Sequence, residues 1–82
     1  MFVTYILYSA SLQRYYTGHT EDLERRFEEH NRGKTKGMKS GIPWKVIYSR
    51  EFNSRSEAMM HEQAIKKRGA FRFLNDIKKQ AR

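Results

Sequence analysis

Residues 2–9, Phe2-Val3-Thr4-Tyr5-Ile6-Leu7-Tyr8-Ser9, are aromatic, aliphatic or β-branched at nearly every position. A strand with one covered face alternates apolar and polar residues, so a run apolar on both faces belongs to a strand covered on both. Residues 9–14 read as a polar turn, and Tyr15-Tyr16-Thr17-Gly18 as the returning strand of a hairpin. Gly18 is expected to free the backbone to leave that strand. A third strand is expected over residues 44–52, where Trp44, Val46 and Tyr48 alternate. For the first strand to be as buried as its composition implies, it must lie between the other two, in the order 2-1-3.

The stretches between and after these strands are helical in pattern. Thr20 is expected to cap a helix whose first turn carries Glu21 and Asp22, running to about residue 32 with Gly33 as its stop. Residues 33–43 hold three glycines and the only proline, and read as a flexible basic loop. Ser54-Arg55-Ser56-Glu57 is a capping box that opens a second helix, and Gly69 breaks it at about residue 68. From Ala70 to Lys79, Phe71, Leu74 and Ile77 or Lys78 recur at helical spacing. The fold class is α+β: a three-stranded antiparallel sheet flanked by helices, in the order β-β-α-β-α-α.

Eighty-two residues make one domain, spanning 1–82. A chain of this size buries only about 60% of the surface its unfolded form exposes, so two or three short helices on one sheet is the ceiling. No apolar run approaches the roughly 18 residues of a membrane span, and the N-terminal residues do not read as a signal peptide. With no cysteine there is no disulfide, thiolate metal site or cysteine nucleophile, which fits a cytoplasmic location. Lysine and arginine number 17 against nine acids, for a net charge of +8. The excess is concentrated: residues 32–50 carry six basic residues and no acid, and residues 63–82 carry seven with only Asp76 opposing them. Two basic blocks separated by acidic helix starts suit a phosphate backbone as partner. The bland alternative is that they solvate helix ends and a loop.

Five side chains fit a plain core poorly. On a helical wheel Leu23, Arg26, Phe27 and His30 share one arc of about 100°, while Arg25, Glu24, Glu28 and Glu29 lie elsewhere. Arg26, not Arg25, therefore borders the apolar stripe and needs an anionic partner. Glu62 follows Ala58 by four residues and precedes Ile65 by three, at the edge of an inward stripe. It is either a structural partner of Arg26 or a ligand for a hard cation. Tyr5 and Tyr16 lie on paired strands with hydroxyls that could reach one surface. One Arg, one His, one Glu and two Tyr at the core margin suit a phosphodiester site, and they are expected to converge on one concave face.

At these residues the sequence resembles the GIY-YIG nuclease superfamily, its small single-domain bacterial members above all. Val3-Thr4-Tyr5 and Tyr16-Thr17-Gly18 stand where the two name-giving triplets stand, eleven positions separating the tyrosines. Residues 18–31, GHTEDLERRFEEHN, resemble the family's helix, and residues 54–67 its glutamate-bearing segment. Val3 and Thr4 replace Gly and Ile, and Thr17 replaces the second Ile. These changes alter strand packing, not chemistry. Asn75 is the only candidate for a late asparagine carried by many relatives, and its spacing matches poorly.

The resemblance implies a metal-dependent endonuclease acting on DNA phosphodiester bonds. Glu62 would hold one Mg²⁺ or Mn²⁺, Arg26 would clamp a phosphate oxygen, Tyr16 would activate or position water, and Tyr5 and His30 would orient water and phosphate. Lys34, Lys36, Lys39 and Lys45 in the basic loop, with the C-terminal helix, would contact the nucleic acid as a monomer. Sequence preference should be low, or set by the structure of the DNA. The alternative is a nucleic-acid-binding protein on the same fold that does not cleave. A basic protein-interaction module would leave Tyr16 and Glu62 without a purpose.

Overall fold

The structure, a computed structural model, describes residues 1–80. Its elements are β1 (Phe2–Ser9), β2 (Arg14–Thr20), α1 (Leu23–Asn31), β3 (Trp44–Phe52), α2 (Arg55–Arg68) and α3 (Ala70–Gln80), with a 3₁₀ turn at Lys39–Gly41 before β3. The sheet is antiparallel in the order β2-β1-β3. This is the architecture expected from the two-faced apolar run: Thr4, Tyr5, Ile6 and Leu7 on the central strand are all buried.

Strand register divides the core into two layers. Tyr5 pairs with Gly18 and Leu7 with Tyr16, and these face α1 together with Phe27, Met38 and Trp44. Thr4 pairs with His19 and Ile6 with Thr17 on the opposite face, where the Thr4 hydroxyl donates to the Ala58 carbonyl of α2 at 2.7 Å. The helices thus cover opposite faces of the sheet, and the β2 edge lies between them.

Several local expectations are corrected. Gly18 does not release the chain: β2 continues to Thr20, which pairs with Val3. The α1 cap is Asp22, whose side chain accepts from the Arg25 amide at 3.1 Å, while the Thr20 hydroxyl accepts from the Asp22 amide at 3.1 Å. Thr20 is still paired strand, so its hydroxyl shapes the turn instead. The β3 alternation fails after Trp44: Val46 and Ile47 are exposed, and a register shift between Ile6 and Leu7 pairs Tyr48 with Ile6, on the face opposite Trp44. In α3 the inward residues are Phe73, Leu74 and Ile77, whereas Phe71 is 61% exposed. Phe73 takes the core position by standing edge-on to Tyr48 and His61, with ring centroids 5.1 and 5.5 Å apart.

The basic loop is anchored rather than loose. Met38 is buried, and its carbonyl accepts from the Trp44 indole at 2.8 Å. A Cβ on Gly41 would stand 2.3 Å from the Trp44 ring, so only glycine lets the loop cross there. No helix among the described residues is long and apolar enough to cross a membrane.

Candidate functional site

β1, β2 and α1 bring four of the five marginal residues together on one face of the sheet. The Tyr5 hydroxyl and His30 Nε2 share a hydrogen bond at 3.2 Å, both side chains fully buried. The Tyr16 ring lies 6.3 Å from that of Tyr5 and 5.1 Å, edge-on, from His30. The Arg26 guanidinium sits beside the Tyr5 hydroxyl and pairs with Glu29 at 3.2 Å. This closeness requires Gly18: a Cβ there would stand 2.8 Å from the Tyr5 hydroxyl oxygen and 3.2 Å from the Tyr16 ring. The glycine opposite Tyr5 makes room for the phenol, which is its use in this strand.

Burial governs the charge states. Desolvation, reinforced by Tyr16, pushes the Tyr5 phenol up to about 12, so it is a protonated hydroxyl at neutral pH. Desolvation, with the Arg26 charge adding to it, pushes His30 below its ordinary value and keeps the imidazole neutral. Its Nδ1 is buried with no hydrogen-bond partner among the described residues. Burial works against the Arg26 charge, but hydrogen bonds to Glu29 and Tyr5 more than offset it.

Glu62 comes from the other face, on α2. His19 Nδ1 donates to its Oε1 at 2.6 Å and the Lys66 ammonium pairs with its Oε2 at 2.7 Å. Burial pushes this carboxyl up, but hydrogen bonds from Lys66 and His19 outweigh it and hold the group below its ordinary value. Glu62 is therefore not the partner of Arg26; Glu29, one turn along α1, is. The link of Glu62 to this region is His19, the β2 residue next to Gly18.

A cleft of about 370 Å³ opens beside Arg26, bounded by His19, Thr20, Glu21, Asp22, Arg25, Arg26, Glu29 and Arg55; of the five residues expected on one concave face, Arg26 alone lines it. Lys34, Lys36, Lys39 and Lys45 are all exposed but lie beyond the C-terminal end of α1, and none lines this cleft. Asn75 is exposed on α3.

No group of three His, Cys, Asp or Glu side chains gathers among the described residues, which does not suit zinc. One ionised, half-buried carboxylate suits Mg²⁺ or Mn²⁺, which keeps several waters and takes one or two protein oxygens. Glu62 would take such an ion on Oε2 in place of the half-exposed Lys66 ammonium, with Oε1 kept by His19.

Sequence reasoning missed His19, Glu29, Lys66 and Arg55. Glu29 follows Arg26 at the i,i+3 spacing of helix ion pairs, and Lys66 follows Glu62 at i,i+4, so both were available in principle. His19 shares the face of Thr17 on β2, but nothing in the sequence says which helix covers that face.

Comparisons with known proteins give the family. Residues 1–75 match the GIY-YIG catalytic domain. A UPF0213 protein of Streptococcus agalactiae is 44% identical over 54 residues, 65% of this chain and 61% of that one. The chain thus spans about three fifths of that relative's length. A UPF0213 protein of Oceanobacillus iheyensis is 39% identical over 66 residues, covering 79% of this chain and 77% of the relative. The solution structure of a UPF0213 protein from Bacillus halodurans superposes with a TM-score of 0.57 at 29% identity, covering 95% of this chain and 84% of that one. With the domain match spanning nearly the whole length and the tyrosine, arginine and histidine clustered on one face, the chain belongs to the GIY-YIG family of nucleases.

Proposed function

We propose that the chain is a single divalent-metal-dependent endonuclease domain acting on DNA, with low or structure-based sequence preference. The observation that carries this reading is the packing of Arg26, Tyr5, Tyr16 and neutral His30 against one another, with Arg26 also lining a cleft.

Each residue's environment suggests its task. Arg26 spends one guanidinium nitrogen on Glu29, leaving further donors of its planar fork for a phosphate oxygen. Tyr5, protonated, orients by donating a hydrogen bond and takes no proton. Tyr16 positions the attacking water, and neutral His30, hydrogen-bonded to the Tyr5 hydroxyl, holds that phenol in place. Glu62 would hold a Mg²⁺ or Mn²⁺ ion, which when bound would supply charge neutralisation at the phosphoryl group.

The test is supercoiled plasmid incubated with pure protein and Mg²⁺ or Mn²⁺. Arg26→Ala is expected to lower the nicking rate about a hundredfold or more, the scale of losing one preorganised donor to developing charge. Equal rates in parent and variant reject the site. No nicking by the parent with either metal favours the non-cleaving nucleic-acid-binding reading.

A further inference from the structure

A second groove, of about 800 Å³, runs from Arg14 to Thr17 on β2 and across the turn between α2 and α3. Its walls carry Arg14, Lys66, Arg68 and Arg72, and no acidic side chain lines it. Lys66 and Arg68 are paired with Glu62 and Asp76, but Arg14 and Arg72 have no ion-pair partner among the described residues. Two exposed aromatic rings sit among these cations. Phe71 is 61% exposed although its helix has a core face to offer, and Tyr15 is 36% exposed, its ring backed by Tyr8 at 4.9 Å. The positive-φ turn at Gly69, φ 93°, starts α3 beside β2 and brings Phe71 to the groove. The groove is continuous with the site at two points, because Tyr16 lines it and Lys66 reaches from it to Glu62.

We propose that this groove binds a segment of single-stranded DNA flanking the scissile phosphate, with Phe71 stacking on an unpaired base and Arg14 and Arg72 contacting its phosphates. Positive walls with no acid call for a polyanion. Flat aromatic faces among those cations call for bases free of a duplex, since pairing hides base faces from side chains. The inference rests on the nuclease reading in taking Tyr16 as the point where the strand enters the site. The structural preference expected of the nuclease would then be for DNA with an unpaired stretch on one side of the cut.

The test is fluorescence anisotropy of a labelled ten-nucleotide thymidine tract and of a duplex of equal length, with EDTA present so that no cleavage occurs. Phe71→Ala is expected to weaken the single-strand complex by about fivefold to a hundredfold, the range for one stacked base, while duplex affinity changes less than about twofold. Arg72→Ala should reduce the log–log salt slope for the single strand by about 0.7. Met60→Ala, an apolar residue 70% exposed and outside the groove, should change neither. Melting midpoints of the variants are expected to match the parent, since all three side chains are exposed. Equal losses on both ligands, or none with Phe71→Ala, overturn the proposal whatever the nicking assay shows. Tighter binding of the same tract in RNA through Phe71 overturns the assignment to DNA. Phe71-dependent single-strand binding by a parent that never nicks supports the groove and defeats the nuclease reading alone.

Discussion

At the scale of single residues, the site depends on a histidine kept neutral by burial. His30 is fully buried, with one nitrogen on Tyr5 and the other unpartnered. Its folded pKa lies below the unfolded value near 6.5, so below that pH the unfolded chain takes up a proton the native protein does not. Stability contributed by neutral His30 is therefore complete above about pH 6.5, falls as the pH drops below it, and levels off beneath the folded pKa. Thermal midpoints taken at about pH 7.5 and about pH 5.5 should fall more steeply for the parent than for His30→Gln, which has no titrating ring there. Equal slopes would mean that His30 titrates normally. The wheel separated Arg26 from Arg25 correctly: the Arg25 side chain is 76% exposed and that of Arg26 40%. It could not reveal that Gly18 makes room for Tyr5, because that requires knowing which residues face each other across the hairpin.

At the scale of elements, both strands of the hairpin and the order 2-1-3 were legible because β1 carries its burial on both faces. The ends and faces of elements were less so. Thr20 has the chemistry of a cap, but pairing with Val3 keeps it in the strand and leaves the cap to Asp22. Phe71 has the spacing of a core residue, but Phe73 fills the space between Tyr48 and His61. In both cases a tertiary contact overrides a local signal. The same applies to the entry into β3, where Asn31 at the end of α1 brackets Trp44. Its Oδ1 accepts from the Trp44 amide at 2.7 Å and its Nδ2 donates to the Trp44 carbonyl at 3.0 Å. Asn31→Ala removes both bonds and is expected to cost about 2 kcal/mol, lowering the melting midpoint by about 10 °C in a domain this small. A change below about 2 °C would mean that the indole bond to Met38 holds β3 without help from α1.

At the scale of the whole molecule, two exposed basic surfaces stand out in a chain of net charge +8: Lys34, Lys36, Lys39 and Lys45, and the groove along β2. Lys34, Lys36, Lys39 and Lys45 are exposed and away from the Arg26 cleft, so their contribution to duplex binding should be electrostatic and independent of cleavage. Neutralising four phosphates gives a log–log salt slope of roughly −3 to −4 on duplex DNA, which replacement of all four by Ala should remove. An unchanged slope places duplex contact on the other basic surfaces. The candidate site was legible as a set of residue types and spacings. The placement of Glu62 was not, since it stands on the opposite face of the sheet from Arg26 and is held by His19 and Lys66. That arrangement makes Glu62→Gln the decisive variant. The amide keeps the size of the carboxylate and one acceptor for His19, and the lost pair with half-exposed Lys66 is worth at most about 1 kcal/mol. The single measurement is Mg²⁺-dependent plasmid nicking, with the melting midpoint taken on the same preparation. The account predicts a midpoint within a few degrees of the parent and nicking reduced about a thousandfold or more. Normal nicking by Glu62→Gln would contradict it.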